Sequence, residues 1–241
     1  GLELVYGHKI FTVDINAGVA TFNKIISSEL EQYGLWNEVK SSVSDLDGDG
    51  YLDIASTSES LFFTWNPRTG VLIDSVSTAS LTSLNAGSQN RRSVFPIIND
   101  LDNDGNMEYI FGTIPPPASN LPTIMFAIDE DLNYLWHILD IHLEPSVLPV
   151  IFDLEADGLK EIIIRAQRNF TTGDGWMYVI DAVSGVKKDS LYIAHGTSMA
   201  GADGSVVIAD VDGDDMVEIL VTGELSSNGP MELAVISSNT N

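Results

Sequence analysis

Not one of the 241 residues is a cysteine, so neither a disulfide nor a thiolate-held metal braces the fold, and the redox compartment is left open. Basic residues are scarce. Eleven Lys and Arg stand against 35 Asp and Glu, giving a net charge of −24. So acidic a surface repels polyphosphate, which excludes nucleic acid and anionic membrane surfaces as expected partners. No apolar run approaches the ~18 residues of a spanning helix, so no membrane insertion is expected. The opening Gly1-Leu2-Glu3-Leu4-Val5 lacks the basic start of a secretory leader. Long amphipathic helices are missing as well; the best candidate, Ile25 to Tyr33, is short and polar. Yet 44% of the residues are hydrophobic, too many for a disordered chain.

What the chain does have is acid in a fixed pattern. In Asp45-Leu46-Asp47-Gly48-Asp49-Gly50-Tyr51-Leu52-Asp53, carboxylates occupy positions one, three, five and nine, with a glycine at six. Side chains two apart in a tightly turning loop converge on one point, and four carboxylate groups there suit a hard cation such as Ca²⁺. Without a cation, the same charges repel. Gly50 supplies the positive-φ turn, after which Leu52 and Ile54 begin an apolar strand. Asp100, Asp102, Asp104, Gly105 and Glu108 repeat the design. Asp153, Glu155, Asp157, Gly158 and Glu161 repeat it with a longer acid at position three. Asp210, Asp212, Asp214 and Glu218 repeat it with Asp215 in the glycine slot, and Asp tolerates the left-handed conformation better than most residues. One such loop is compatible with an ordinary acidic turn. Four at a spacing of roughly 55 residues define a repeat protein.

Alternating apolar stretches fill the space between the loops. Val39 to Asp45 leads into the first loop and Leu52 to Ser56 leads out. Leu61 to Trp65, a turn at Asn66 to Gly70, and Val71 to Val76 complete that unit. The next runs Val94 to Asn99, loop, Tyr109 to Ile114, Ile124 to Ile128, turn, and Tyr134 to Leu139. A third runs Val147 to Phe152, loop, Ile162 to Ile164, Trp176 to Ile180, turn, and Val186 to Ile193. Val206 to Ala209, Val217 to Val221 and Leu233 to Ile236 give three strands of another, and residues 2–26 give the last three strands of a unit before the first loop. Four short strands joined by tight turns form one small antiparallel sheet, which buries both faces only by stacking on its neighbours. Radial stacking gives an all-β fold, a β-propeller of four-stranded blades. The expected division is a partial blade over 1–34, blades over 35–83, 84–140 and 141–198, and a partial blade over 199–241. A ring of six to eight such blades needs roughly 330–440 residues, so the chain reads as part of a larger ring. The segments 114–120 and 77–92 read as long inter-strand loops.

An acidic loop between the first and second strands of a four-stranded repeat resembles the FG-GAP or VCBS repeats of integrin-α-like propellers. The resemblance covers essentially the whole chain. It implies Ca²⁺ in the loops, about four ions in all, and an extracellular setting, secreted or at the cell surface. It implies the four acids of each loop as ligands, joined by the seventh-position backbone carbonyls of Tyr51, Asn106, Leu159 and Met216. Glu155 and Asp215 depart from the pattern and set the third and fourth loops apart.

Other chemistries fit less well. An EF-hand needs a bidentate Glu at position twelve and flanking helices, whereas Ser56, Phe111, Ile164 and Val221 stand there in expected strands. His195-Gly196-Thr197-Ser198-Met199-Ala200 looks like the nucleophile segment of subtilisin-like proteases, but no separate His and Asp motif accompanies it, and it reads as an inter-blade loop. His8, His137 and His142 have no metal-ligand spacing. Trp36, Trp65, Trp136 and Trp176 read as inter-blade core rather than sugar platforms. Asn169-Phe170-Thr171 is a lone glycosylation sequon. No catalytic set can be assigned. The expected role is a non-enzymatic module that binds a protein or glycan or builds an extracellular assembly. The alternative is the propeller of a secreted polysaccharide-degrading enzyme, since rhamnogalacturonan lyases also resemble this repeat pattern.

Overall fold

In the computed structural model, the structure describes residues 2–6, 9–25, 39–58, 61–81, 92–114, 123–139, 141, 148–169, 174–194, 206–224 and 231–237. His8, Trp36, His142, the Ser198 segment, Phe170 and Thr171 of the sequon, most of the 25–33 helix candidate and most of the two long loops lie outside them. So do the unit boundaries at 34–35, 83–84 and 198–199.

Among the described residues, five antiparallel sheets follow one another along the chain. β1 (Leu2–Tyr6), β2 (Lys9–Asp14) and β3 (Val19–Ile25) form the first. β4 (Lys40–Ser44), β5 (Asp53–Ser58), β6 (Leu61–Asn66) and β7 (Val71–Ser77) form the second, in that order. The third contains β8 (Arg92–Ser93), β9 (Ile97–Asn99), β10 (Glu108–Ile114), β11 (Ile124–Ile128) and β12 (Tyr134–Ile138). β13 (Val150–Phe152), β14 (Glu161–Asn169), β15 (Asp174–Asp181) and β16 (Lys187–Ala194) make the fourth, and β17 (Val206–Ala209), β18 (Glu218–Glu224) and β19 (Met231–Ser237) the fifth. Each acidic loop joins the first strand of a sheet to the second: β4 to β5, β9 to β10, β13 to β14 and β17 to β18.

Of the stretch expected as one strand from Val94 to Asn99, only Ile97–Asn99 is strand; Pro96 has no amide to give to a ladder, and the pairing resumes before it at Arg92–Ser93. β8 and β9 both pair with β10, so the two pieces together serve as one strand. Pro96 keeps a role through its carbonyl, which accepts a hydrogen bond from the Ser42 hydroxyl of the second sheet. The start of the loop expected over 77–92 instead holds a single helical turn, α1 (Thr78–Leu81).

Period-two alternation sends neighbouring side chains into two different inter-sheet layers. Ile54 and Phe63 pack with Ile10 and Trp65 between the first and second sheets, whereas Ala55 and Phe62 pack with Tyr109, Phe111 and Phe126 between the second and third. Ile162 and Ile164 face the third sheet with Ile110 and Trp136; Ile163, between them, faces the fifth with Ile219 and Val221. The middle strands β5, β10 and β11 are therefore buried along their whole length. An aromatic ladder crosses one layer: Phe62 lies 5.0 Å from Phe111, which lies 5.3 Å from Phe126, centroid to centroid. Trp65 and Trp136 are buried and Trp176 is partly buried against the same cores, so the three described tryptophans are core residues.

The candidate metal-binding loops

Each loop turns twice through the left-handed region. At position six Gly50, Gly105, Gly158 and Asp215 have φ of 84°, 95°, 87° and 67°, as the sequence pattern requires. Position four does the same in Gly48, Asn103, Ala156 and Gly213, which the spacing of acids alone does not reveal. Of these Ala156 is the costly one, since a Cβ in this conformation is strained by about 1–2 kcal/mol.

The acids hold the turns by accepting backbone hydrogen bonds. The amide at position six donates to the first acid in every loop: Gly50 to Asp45 at 2.9 Å, Gly105 to Asp100 at 3.2 Å, Gly158 to Asp153 at 2.8 Å and Asp215 to Asp210 at 3.1 Å. The amides of Tyr51, Asn106, Leu159 and Met216 donate to the fifth acids Asp49, Asp104, Asp157 and Asp214, at 2.8–2.9 Å. The ninth acid opens the next strand and lies beneath the loop. Asp53, Glu108, Glu161 and Glu218 are all buried. Three of these, Glu108, Glu161 and Glu218, also accept from the position-two amides of Leu101, Leu154 and Val211.

Carboxylate oxygens converge in three of the four loops. Asp45, Asp47 and Asp53 each place one oxygen within 4.8 Å of the others, as do Asp100, Asp102 and Glu108, and Asp210, Asp212 and Glu218. These are positions one, three and nine. The position-five acids stand outside the three groups. Asp49 also receives Arg68, whose Nη2 lies 3.1 Å from its Oδ2 and whose guanidinium stacks 3.6 Å above the Tyr51 ring. In the first loop Asp45 Oδ1 and Asp53 Oδ2 are buried and accept no hydrogen bond from the protein. Burial raises the Asp53 pKa above the ordinary carboxylate value, with Asp47, Asp49 and Asp45 adding to it against the Leu46 amide. Glu108 is raised likewise, first by burial and then by Asp102, Asp104 and Asp100, against the Leu101 amide. Such oxygens call for a positive charge.

The third loop differs. Its Asp153 and Asp157 keep their backbone hydrogen bonds, but Glu155 and Glu161 both bind the Lys188 ammonium, at 2.6 and 2.7 Å. These two bonds hold the lysine pKa well above its ordinary value. Lys188 was not legible from the loop motif, because it comes from β16, the outer strand of the sheet. Lys160 and Asn103 lie within the loops and were missed because each finds its partner in the neighbouring loop: they tie adjacent loops together. Lys160 Nζ donates to the Asp100 carbonyl, and Asn103 Nδ2 to the Gly158 carbonyl at 2.6 Å.

No protein-family model matches this sequence, and no curated protein matches it either. Solved structures do. The quinohemoprotein alcohol dehydrogenase of Comamonas testosteroni is similar over 92% of this chain, with a TM-score of 0.55 and 9% identity. The Dos1 propeller is similar over 97%, with a TM-score of 0.51 and 10% identity. The Vibrio cholerae biofilm matrix protein Bap1 is similar over 82%, with a TM-score of 0.50 and 19% identity. This chain spans 39%, 54% and 26% of those three proteins. At these identities the likeness is one of fold. The successive four-stranded sheets are the blades of a β-propeller.

Proposed function

We propose that this chain is a Ca²⁺-stabilised module of the FG-GAP/VCBS kind, part of a six- to eight-bladed ring that works outside the cell by binding a protein or glycan or by building an assembly. The observation that carries the metal reading is the pair of buried, partnerless oxygens, Asp45 Oδ1 and Asp53 Oδ2, inside a converged acidic group. A buried polar atom without a partner costs about 1–3 kcal/mol, and more when charged, so a loop built this way asks for a cation. All the donors are hard oxygens, which suits Ca²⁺ better than a transition metal. Asp45, Asp47 and Asp53 would hold one ion, Asp100, Asp102 and Glu108 a second, and Asp210, Asp212 and Glu218 another. Asp49, Asp104 and Asp214, with the carbonyls of Tyr51, Asn106 and Met216, would complete these sets.

The ion supplies positive charge that neutralises the loop; this chain's residues do the rest. The position-one and position-five acids shape the turn, and the position-nine acid roots it in the second strand of the blade. The role of the ion is therefore structural. Bap1, a biofilm matrix protein of similar fold, supports an assembly role outside the cell. The test is metal analysis and thermal melting before and after chelation. Bound Ca²⁺ and a large drop in melting temperature on its removal are expected. At tenfold excess over its dissociation constant each ion adds about 1.4 kcal/mol. Absence of bound Ca²⁺ and an unchanged melt would sink the reading.

A further inference from the structure

Three blades are described with all their strands, and their outer hairpins can be superposed by register. In each, the third and fourth strands slip by one residue just after the turn: between Thr64 and Trp65 in the second sheet, Ala127 and Ile128 in the third, Val179 and Ile180 in the fourth. The extra residue on the outer strand is Ile73, Leu135 and Lys188 in turn. A bulge re-aims the side chain it carries. In the first two of these blades that residue is an apolar group, about half exposed, and the acidic loop has its position-one, -three and -nine oxygens drawn together. Of these three blades, only in the fourth sheet is the residue a cation, and only there do the position-three and position-nine acids share one protein cation.

A second departure accompanies the first. The third loop alone has Glu rather than Asp at position three, and it is this longer side chain that meets Lys188. The buried Glu161 meets it too, with no exposed surface of its own. A charge held that deep needs a paired, hydrogen-bonded counter-ion, and the lysine is one.

We propose that Lys188 is the resident cation of the third loop, so that this copy of the loop is closed without metal while the other three take Ca²⁺. The inference rests on the metal reading of those three loops for its total count, though not for its sign. An ammonium occupying the charge-bearing position makes the blade's loop independent of calcium supply. One blade in the array is then permanently locked, and its neighbours are conditional.

The experiment compares Ca²⁺ bound per chain, by equilibrium dialysis and metal analysis, in the wild type and in the double variant Lys188→Leu, Glu155→Asp, which restores the residues of the third sheet's copy. Three ions in the wild type and four in the variant are expected. Four in the wild type overturn the proposal, as does no gain in a folded variant. A wild type with none and a variant with one would overturn the calcium reading of the other loops and still support the lysine. Because the double variant loses a buried ion pair, Glu161→Gln provides a second readout. Its shift in melting temperature is expected to be the same in chelator and in Ca²⁺. A shift that depends on Ca²⁺ would mean that Glu161 holds metal, and would overturn the proposal.

Discussion

Asp53 carries most of the argument at the scale of single residues. It is buried, one of its oxygens has no partner in the protein, and three other acids face it from the same loop. Asp53→Asn is therefore expected to change sign with conditions. In chelator it removes an unpaired buried charge and raises the melting temperature; in excess Ca²⁺ it removes a ligand and lowers it, the lost binding being worth about 1.4 kcal/mol at tenfold excess. Thermal melts of both proteins in both buffers check this, and a shift of one sign throughout would count against a metal at this loop. The pH dependence follows from the same group. Its folded pKa is raised above 3.8, so the folded, metal-free chain binds more protons there than the unfolded one. That contribution to stability is fully present below 3.8 and is lost as pH rises through the folded value. The advantage of Asp53→Asn in chelator should accordingly appear as pH rises through that window. Denaturant titrations at a series of pH values measure it.

Among elements, the outer hairpin turn is where one blade meets the next. Gly185 closes the turn after β15 with φ of 69°, and a Cβ there would lie 2.6–2.8 Å from the Trp136 ring of the preceding sheet. The same ring donates from Nε1 to the Ala182 carbonyl at 3.1 Å, so this turn is clamped from both ends. Gly70 holds the equivalent position in the second sheet at nearly the same φ, 72°, with open space around its missing Cβ. Gly70→Ala should cost about 1 kcal/mol, the backbone penalty alone. Gly185→Ala should cost about 2–5 kcal/mol, because overpacking adds to it. Equal costs in urea denaturation would show that Trp136 does not press on the turn.

For the molecule as a whole, the balance of charge is the controlling quantity. With −24 net charge and three groups of converged acids, the metal-free chain repels itself both locally and globally. Raising NaCl in chelator from about 0.05 to about 0.5 M shortens the Debye length several-fold and should raise the melting temperature. The same change in excess Ca²⁺ should do much less, since the ions neutralise the closest charges already. If salt acted equally in both buffers, the acids of the loops would not be the source of the repulsion.

The succession of antiparallel sheets with their acidic loops was legible in the sequence. A four-acid loop followed by an apolar strand is local chemistry, and its recurrence sets the order and kind of the described strands without any tertiary information, the break at Pro96 apart. The left-handed residue at position six, Asp215 included, was legible on the same ground. Position four was not, because Asn103 and Ala156 carry no glycine to announce it. Three-dimensional structure alone decided which of the acids meet. Lys188 lies 27 residues from Glu161, and only the pairing of β14 with β15 and of β15 with β16, together with the one-residue bulge, brings its ammonium under the loop. Likewise the two faces of β5, β10 and β14 belong to different inter-sheet cores, a division that alternation implies but that only stacking assigns. The sequence by itself determined the unit, because a loop and its strands are bonded within a few residues of one another. That Glu155 and Glu161 meet a lysine depends on a group distant along the chain, and so it was decided by the packing of strand on strand.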